Sequence, residues 1–410
     1  MTSNPEHERL LTAPEYLADP YPALQRLQEE APIYWSDGVG GWVLTRYDDV
    51  LITFKDTTTF GNEGRLRQAT AYLPHERQAR YRAFDEHFAH KSLLNSDPPD
   101  HTRMRAIISR ELNSRVVEQM KPKIQVAVDD LLDAAEAKGS MEVVTDLAAA
   151  LPIRIIAHIL GVPLSDHHLF RIWADDLLSF QGVNKPGEDT LDRAQRAVVQ
   201  MRPYVRCMME DRRVTPRDDL ISKFVAAEAE GGRISEDELI STCVTLFVAG
   251  QETTLSFISS SLLTLLLNPE QLDKLRKDES LLTSALEESL RYESPVSRQP
   301  RLVREDFELR GHTFRKGQMV FQMVNAANRD PEYFPDPHKF DIERQPNRHI
   351  AFGMGIHFCV GALLSRAETN IAVGAALNRF PRLRLEDPTP DWDIEKRNSR
   401  VLQSLEVRFD

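Results

Sequence analysis

Residues 352–361 read FGMGIHFCVG, and the one cysteine among them is Cys359. An apolar helix is predicted to start near Gly361, so backbone N–H groups at its start can point at the Cys359 sulfur. Such dipoles lower the pKa of a thiol and favour the thiolate, the form that binds metals. Gly353 and Gly355 have no Cβ and let the backbone fold closely under a flat ligand. We favour a metal-binding thiolate over the alternative, a buried structural cysteine in a turn.

The bulk composition argues against several functions. The chain has 410 residues, a formal net charge of −12 and three widely separated cysteines without a CxxC pair. The acidic charge disfavours a nucleic-acid partner, and the cysteine spacing disfavours zinc and a disulfide framework. The N-terminus lacks an apolar signal core. The most apolar stretch, residues 244–267, contains Gln251 and Glu252 and is predicted to be a buried helix, not a membrane span. We expect a cytoplasmic protein.

The pattern of apolar residues predicts a mainly α fold with a minor β region (α+β). Residues 31–47 contain two strand-like runs separated by glycines, which predicts a hairpin. Residues 60–95 are charged and are expected to be irregular. Residues 101–292 show apolar residues at helical spacing. Strand-like runs return after Pro295, and the C-terminal VLQSLEVRF alternates like a strand, so we predict a small sheet formed from both chain ends.

The predicted apolar helix contains a polar motif, AGQETT, at residues 249–254. A glutamate and two threonines are costly in a buried helix interior. In one interpretation the threonines bond back to carbonyl groups one turn earlier and Glu252 is paired elsewhere. In the interpretation that we favour, Gly250 and Thr253 open a groove in the helix where a small molecule binds.

A third motif is EESLRYESP, in which Glu288 and Arg291 lie three residues apart. On a helix they share a face and can form an ion pair. Such pairs are common and usually solvated, so this motif alone indicates little.

Together the motifs resemble the cytochrome P450 superfamily, of the soluble bacterial kind. FGMGIHFCVG is similar to its heme-binding signature, AGQETT to its oxygen-binding helix, and EESLRYESP to its ExxR helix. The resemblance extends over essentially the whole chain. It implies a single triangular-prism domain, residues 1–410, with heme between the oxygen-binding helix and the cysteine-loop helix. It further implies a heme-thiolate monooxygenase without a fused reductase.

The resemblance also implies roles for individual residues. Cys359 is expected to be the axial ligand of the iron in heme b (iron protoporphyrin IX), where a thiolate favours O–O cleavage. Thr253 is expected to hold oxygen and water by hydrogen bonds, and Glu252 to relay protons. The Glu288–Arg291 pair is expected to stabilise the cysteine-loop side of the fold. Further heme-contacting residues are His101, Arg105, Ala249, Gly250, Arg301, Phe352 and His357, of which the basic ones are to bind the heme carboxylates.

One position departs from the family pattern. An arginine in the turn-rich segment before the cysteine loop usually completes the ion-pair network. Here PDPHKFD has Lys339 at the commonest position of that arginine. A lysine supplies charge but not a bidentate fork, so the third member of the network is in doubt.

The expected partners also follow from the resemblance. O2 is the co-substrate, and electrons come from NAD(P)H through a separate ferredoxin or flavodoxin with its reductase. We expect a monomer that presents a basic docking face near the cysteine. The candidates for this face are Arg103, Arg110, Arg115, Arg344, Arg348 and Arg366, although these are alternatively scattered, solvated arginines.

The expected reaction is hydroxylation of a small-to-medium hydrophobic molecule, such as a terpenoid, macrolide, steroid or fatty acid. Five arginines between residues 65 and 82 suggest a polar or acidic handle on it. The alternatives are desaturation or coupling, or a heme-thiolate ligand-binding sensor without turnover, against which an intact proton relay argues. The pocket residues implied by the resemblance are Leu93, Leu94, Phe180, Leu246, Phe247, Val296, Ser297 and Leu402.

Overall fold

Helices dominate the structure, as the apolar spacing predicts. The computed structural model describes residues 4–181, 183, 185–229 and 234–409. A π-helical turn, Val144–Ala148, lies between the ninth and tenth α-helices. The α-helices are α1 Pro5–Thr12, α2 Pro14–Ala18, α3 Tyr21–Glu30, α4 Tyr47–Lys55, α5 Gln68–Ala71, α6 His75–Gln78, α7 Arg82–Ala89, α8 Asp100–Glu111, α9 Ser114–Lys138, α10 Ala150–Leu160, α11 His167–Leu178, α12 Glu188–Val214, α13 Leu220–Ala229, α14 Glu236–Leu267, α15 Pro269–Lys277, α16 Leu282–Tyr292, α17 Val324–Ala327 and α18 Ala362–Arg379.

The strands are short and form several small sheets. They are β1 Ile33–Ser36, β2 Gly41–Leu44, β3 Phe60–Gly61, β4 Ser140–Glu142, β5 Gln299–Val303, β6 Phe307–Leu309, β7 His312–Phe314, β8 Met319–Gln322, β9 Arg384–Leu385, β10 Asp391–Trp392, β11 Leu402–Ser404 and β12 Glu406–Arg408. The largest sheet has the order β1-β2-β8-β5-β3, and a second has the order β4-β12-β9. The class predicted from the sequence, mainly α with a minor β region, is confirmed.

The predicted sheet is present for the N-terminal hairpin and the strands after Pro295, but not for the C-terminal tail. β1 and β2 pair antiparallel with Ile33 opposite Leu44, and β2 then pairs parallel with β8. In the C-terminal strand β12, the buried Val407 pairs with Met141 of β4 and with Leu385 of β9. The expectation that the tail joins the same sheet was wrong, because the apolar face of β12 is buried against the strand that follows α9.

Residues 60–95 are more regular than their charge predicts. They contain β3 and the short helices α5, α6 and α7. Their scattered aromatic residues supply the reason, since Tyr81 and Phe84 are fully buried and Phe84 lies 4.9 Å from the ring of Phe180. A small apolar cluster therefore holds this segment against α12.

Helix α14 is the central element of the fold. It begins with a capping box formed by Ser235 and Glu238. One apolar cluster joins it to α9, α16 and α18, and a second joins it to α10–α13. Because partners surround it, its polar residues lie inside the protein. Among the described residues no helix combines the length and apolarity needed to cross a bilayer.

The predicted ion pair between Glu288 and Arg291 is completely buried. The guanidinium group binds the carboxylate in a bidentate manner, with both N–H···O distances 2.8 Å. Its remaining N–H groups donate to the carbonyl oxygens of Asn328, Pro337 and Lys339 at 2.8–3.1 Å. Such full satisfaction is what makes a buried charge tolerable. The pair fixes the turn-rich segment that leads to the cysteine loop.

Arg344, not Lys339, completes this network. Arg344 Nε donates to Glu288 Oε1 at 3.1 Å, and its side chain is only 9% exposed. The side chain of Lys339 is exposed, and only its backbone carbonyl takes part. The doubt placed on the third member at Lys339 was therefore misplaced, because an arginine five residues later supplies the guanidinium fork.

We expect Arg344→Ala to lower the free energy of unfolding by about 1.5 to 3 kcal/mol, the contribution of a hydrogen bond to a charged group. Glu288 loses one of its two guanidinium partners in this variant. Lys339→Ala is the matched control and should change the free energy by less than about 0.5 kcal/mol. Denaturant unfolding followed by circular dichroism measures both. Equal losses in the two variants would contradict this network.

Candidate active site

The cysteine loop is closed by its own backbone. The N–H of Cys359 donates to the carbonyl oxygen of Phe352 at 3.0 Å, and the N–H of Gly353 donates to Ile350 at 2.9 Å. Gly353 and Gly355 have φ values of 70° and 72°, which L side chains rarely adopt. A Cβ on Gly355 would also lie 2.6 Å from the carbonyl oxygen of Phe54. Both glycines are thus required by the backbone path that brings the cysteine to the cavity.

The Cys359 sulfur lies at the start of α18 and is accessible from the cavity. Burial within the protein raises the pKa of the thiol, while the backbone N–H groups of Gly361 and Ala362 and the cations of Arg105 and Arg366 oppose that rise. These are the dipoles expected from the sequence, with two cations added. They provide the compensation that a thiolate needs when a metal cation displaces its proton.

A cavity of about 320 Å³ lies between the cysteine loop and α14. The two sequence motifs meet across it, since Ala249, Gly250, Glu252 and Thr253 line one side and Cys359 the other. The missing Cβ of Gly250 would point at Ile156 of α10, 3.4 Å away. This is an ordinary van der Waals distance, so the packing of α10 against α14 does not itself require a glycine at this position.

Helix α14 is α-helical throughout residues 249–254, so the groove expected in this motif is not present as a break in the helix. The Thr253 hydroxyl donates to the carbonyl oxygen of Ala249 at 2.9 Å. This is the back-bonded arrangement that was the alternative interpretation. Because the hydroxyl proton is engaged, the oxygen presents its lone pairs as acceptors to the cavity.

Glu252 is paired with a lysine from the far end of the chain. Lys396 Nζ lies 2.6 Å from Glu252 Oε2 and 3.5 Å from Asp175 Oδ1 of α11. Burial opposes the charge of Lys396, but the combined attraction of Glu252, Asp175 and Asp393 outweighs burial and the pKa of Lys396 is raised. Lys396 therefore remains charged and is paired with the Glu252 carboxylate.

Basic side chains collect at one edge of the cavity. His101 and His357 lie with ring centroids 4.1 Å apart, and Arg105, Arg301 and Arg65 line the same cavity. Burial, with like charges nearby, lowers the pKa of Arg301 to about 9 and of His357 to about 2. The positive charge of this cluster is not fully balanced by acidic groups of the surrounding protein. A dianionic ligand would supply that compensation.

Unpartnered donors indicate where such a ligand binds. Both ring nitrogens of His101 are buried without a hydrogen-bond partner among the described residues. Arg105 and Arg65 also have pKa values lowered first by burial. A flat group that carries two carboxylates and contacts the Cys359 sulfur fits these residues. This is the chemistry of heme.

Comparison with known proteins agrees with this geometry. The family model described as Cytochrome P450 matches residues 67–409. The polyketide biosynthesis cytochrome P450 PksS of Bacillus subtilis (strain 168) is 35% identical over 97% of this chain and 98% of its own length. The cytochrome P450 monooxygenase PikC of Streptomyces venezuelae is 38% identical over 96% and 92%. The chain belongs to the cytochrome P450 family.

A solved P450 structure shows that the likeness includes the fold. P450BioI, in complex with a hexadec-9Z-enoic acid ligated acyl carrier protein, has a TM-score of 0.89 and 35% identity, covering 97% of this chain and 100% of that chain. The protein is thus a P450 monooxygenase. Members of this family use heme and O2 with electrons from a redox partner and bind hydrophobic substrates.

Phe352, the first residue of the cysteine loop, packs against an arginine that belongs to a charged network. The guanidinium of Arg366 lies 4.4 Å from the Phe352 ring centroid and binds Glu287 with N–H···O distances of 2.7 and 2.8 Å. Glu287 also contacts His349 at 3.0 Å. Although burial opposes it, these partners hold the pKa of Glu287 at about 2. The Arg366 cation near the sulfur is therefore fixed in position.

Half of the predicted pocket residues lie in the cavity. Leu93, Leu94, Leu246 and Val296 line it. The structure places Phe180, Phe247, Ser297 and Leu402 elsewhere, which corrects their assignment to the pocket. Phe247 follows Leu246 by one residue, a rotation of about 100° on a helix, and packs on Phe170 at 4.3 Å. Leu402 is buried in the core cluster of α9 and α18.

The remaining two misplaced residues have other neighbours. Phe180 packs against Phe84 and Phe88 in the cluster under α12. The backbone of Ser297 bonds to Asn398 and Asn325, and its small side chain does not reach the cavity. The spacing of a single sequence shows that these residues are buried, but not which side of the chain they face.

The arginines of residues 65–82 do not form an acid-binding lid. Arg77 and Arg80 pair with Glu188 and Asp192, respectively, at the surface of α12. Arg65 alone among the cavity-lining arginines comes from this segment. The sequence interpretation missed Arg65 as a member of the basic cluster that contains Arg301. The two residues are distant in sequence and come together only in the fold.

Two further charged residues were missed. Lys396 lies in a segment with no motif, so its pairing with Glu252 has no sequence signal. Glu368 of α18 is 3% exposed, lines the cavity and has no hydrogen-bond partner for Oε2 among the described residues. Burial raises the pKa of Glu368 to about 8. A glutamate inside an apolar helix is the signal that would have indicated it.

The basic face expected around the cysteine is smaller than the sequence suggests. Arg344 belongs to the buried network of Glu288, and Arg366 is engaged by Glu287. Arg103 binds Asp100 and Glu238. The candidates that remain exposed, without an ion-pair partner among the described residues, are Arg110, Arg115 and Arg348.

We expect Arg301→Gln to weaken heme retention about tenfold or more, because the variant loses a charge-assisted hydrogen bond to a buried carboxylate. The transfer of heme from the P450 to apomyoglobin measures this directly and requires no turnover. Arg315→Gln is the control, since Arg315 is exposed and pairs with Asp306 at the surface. Equal transfer rates for both variants would contradict the assignment.

Proposed function

We propose that this P450 hydroxylates a hydrophobic natural-product intermediate, using electrons from NAD(P)H that arrive through a ferredoxin or flavodoxin. One observation carries the proposal: Cys359 and the polar motif of α14 face the same, largely apolar cavity. The thiolate side and the proton-delivering side are thus on opposite walls of one cavity.

Different residues around the cavity would bind the iron and the carboxylates of heme b. Cys359 supplies the thiolate, supported by the N–H groups of Gly361 and Ala362. The basic side chains that would bind the two heme carboxylates are His101, Arg105, Arg301, His357 and, newly, Arg65. When bound, heme supplies the iron that activates O2.

Thr253 and Glu252 handle protons on the α14 side. The Thr253 oxygen accepts hydrogen bonds from the cavity, since its own proton is given to Ala249. Glu252 lies one residue earlier and is connected through Lys396 to Asp175, which is 60% exposed. A carboxylate that exchanges between this pair and the cavity would carry protons from solvent to the Thr253 oxygen.

The substrate class follows from the lining and from the relatives. The lining combines aliphatic and aromatic side chains from several elements, among them Leu93, Leu177, Val244 and Val296. PksS is named for polyketide biosynthesis. We therefore favour polyketide-like or macrolide-like substrates, with terpenoids, steroids and fatty acids of similar polarity as the other candidates.

The electron donor is proposed to dock on the side of the cysteine loop. Arg110, Arg115 and Arg348 are exposed and would meet the acidic surface of a small donor. The P450 is proposed to act as a monomer and to remain in the cytoplasm.

The test of thiolate ligation is the spectrum of the dithionite-reduced, CO-bound protein. We expect a strongly red-shifted Soret band in the wild type, because a thiolate pushes electron density toward the iron. Cys359→His should abolish this band, whereas Cys207→Ser, which changes an exposed thiol, should retain it. Turnover with a surrogate ferredoxin system under 18O2 should insert one labelled oxygen into the product. A ligand-bound spectrum without any product would instead indicate a sensor.

The role of Glu252 is tested by removing its counter-ion. Lys396→Met leaves the Glu252 carboxylate buried without an opposite charge, which is costly for a charged carboxyl group. We expect product formation at pH 7 to fall about tenfold or more, because proton delivery by a positioned carboxyl group is impaired. Lys396→Arg should restore product formation, and Glu252→Gln should lower it whether residue 396 is Lys or Met. Unchanged product formation in Lys396→Met would contradict the proposed relay.

A further inference from the structure

The cavity wall formed by α7 and the first turns of α14 contains a histidine whose orientation and protonation are fixed by the protein. We propose that His87, with Ser241, forms a polar subsite that donates hydrogen bonds to an uncharged oxygen acceptor of the substrate, such as a ketone, ester or hydroxyl oxygen. This inference rests on the proposed function, because it specifies the class of hydrophobic substrate.

His87 is held by Arg202 of α12, which is itself anchored by residues of α14. It lies on α7, is 4% exposed and lines the cavity. Its Nδ1 is 3.1 Å from Nη1 of Arg202 on α12. The same Nη1 donates to Ser241 Oγ of α14 at 3.2 Å, and the other end of the guanidinium pairs with Asp237. Arg202 is therefore a fixed donor, and Nδ1 must be the acceptor.

The proton of His87 is consequently on Nε2. A neutral imidazole has one N–H, and the nitrogen that accepts a hydrogen bond is the one without it. The group is neutral because burial, together with neighbouring Arg202 and His90, lowers the pKa of His87 to about 3. Among the described residues Nε2 has no hydrogen-bond partner. It is left to donate to a group inside the cavity.

Ser241 provides a second donor beside it. Its oxygen accepts from Arg202, and its own hydroxyl has no acceptor among the described residues. Thr245, one turn further along α14, lines the cavity as well but gives its proton to the Ser241 carbonyl oxygen at 2.8 Å. The subsite thus offers two donors in a wall that also includes the apolar side chains of Phe88, Leu177 and Val244.

The charge of the subsite selects an uncharged ligand. The Arg202 cation is already paired with Asp237, so a substrate carboxylate would be buried beside neutral donors and an engaged guanidinium. Burying such a charge without a counter-ion is costly, whereas a carbonyl or hydroxyl oxygen needs only a hydrogen bond.

The position of the subsite sets the length of the ligand. Ser241 precedes Thr253 by twelve residues, which corresponds to about 18 Å along the axis of α14. A substrate that reaches His87 while its reacting carbon lies near Thr253 must be extended, with its oxygen far from the carbon that is oxidised. Small molecules cannot satisfy both ends.

The experiment compares three probes of equal chain length in the heme-loaded protein. 2-Tetradecanone has an uncharged acceptor, tetradecane has none, and tetradecanoate is charged. Binding is followed by the spin-state change of the ferric heme. We expect the ketone to bind about tenfold more tightly than the alkane, the factor that one good hydrogen bond supplies. The carboxylate should bind no more tightly than the alkane.

Variants connect this preference to the subsite. His87→Phe retains ring size without a donor and should abolish the preference for the ketone, while His87→Gln, with an amide N–H, should retain part of it. Ser241→Ala should reduce it about two- to threefold and provides a second variant if His87→Phe does not fold. His75→Phe, at an exposed histidine outside the cavity, is the control and should bind as the wild type does.

The outcomes separate the subsite from the proposed function. Equal binding of ketone and alkane, or a preference that survives in His87→Phe, would overturn the subsite while the hydrophobic substrate class stands. Preferential, His87-dependent binding of tetradecanoate would overturn the choice of an uncharged ligand. If no probe changes the spin state of protein that shows the thiolate CO spectrum, the hydrophobic substrate class itself fails, and the subsite with it.

Discussion

A thiolate inside a protein persists only where dipoles and cations compensate for lost hydration, and the elements around Cys359 are arranged to meet this constraint. The loop hydrogen bond from Cys359 to Phe352 places the sulfur at the start of α18. Arg366 is kept near the sulfur by Glu287, which is in turn held by His349. His349 and Arg366 both bind the Glu287 carboxylate, and Arg366 lies near the Cys359 sulfur. The residues that stabilise the thiolate therefore include several outside the signature motif.

Buried charge that must be compensated also fixes the turn-rich segment before the cysteine loop. Glu288 and Arg291 are fully buried, and such a pair is tolerated only when every remaining donor and acceptor is satisfied. Arg344, Asn347 and three backbone carbonyls complete it. Because these partners come from residues 328–347, folding of the turn-rich segment and burial of the ion pair depend on each other.

Sequence reasoning was successful where one element carries the signal and failed where two distant elements must meet. The hairpin of residues 33–44, the long helix α14 and the pair Glu288–Arg291 each follow from local spacing or turn chemistry. The roles of Arg65 and Lys396 and the tautomer of His87 do not follow in this way. Each depends on a neighbouring side chain that lies more than a hundred residues away in the sequence. The rotation of Phe247 out of the cavity belongs to the same class, since it depends on where α11 packs.

The cavity that results contains two polar groups of residues within a lining that is largely apolar. Basic residues and the cysteine loop form one group, where a dianionic cofactor compensates for the charge. His87 and Ser241 form the other, where protein groups have already neutralised the charge of Arg202. A ligand that is apolar along its length and has one acceptor at its tip matches this distribution in one direction only. The reversed orientation would leave its oxygen near the heme side without a donor and the subsite donors unpaired. Unpaired buried donors cost more than the hydrogen bond itself contributes, so the subsite would select which carbon approaches Thr253.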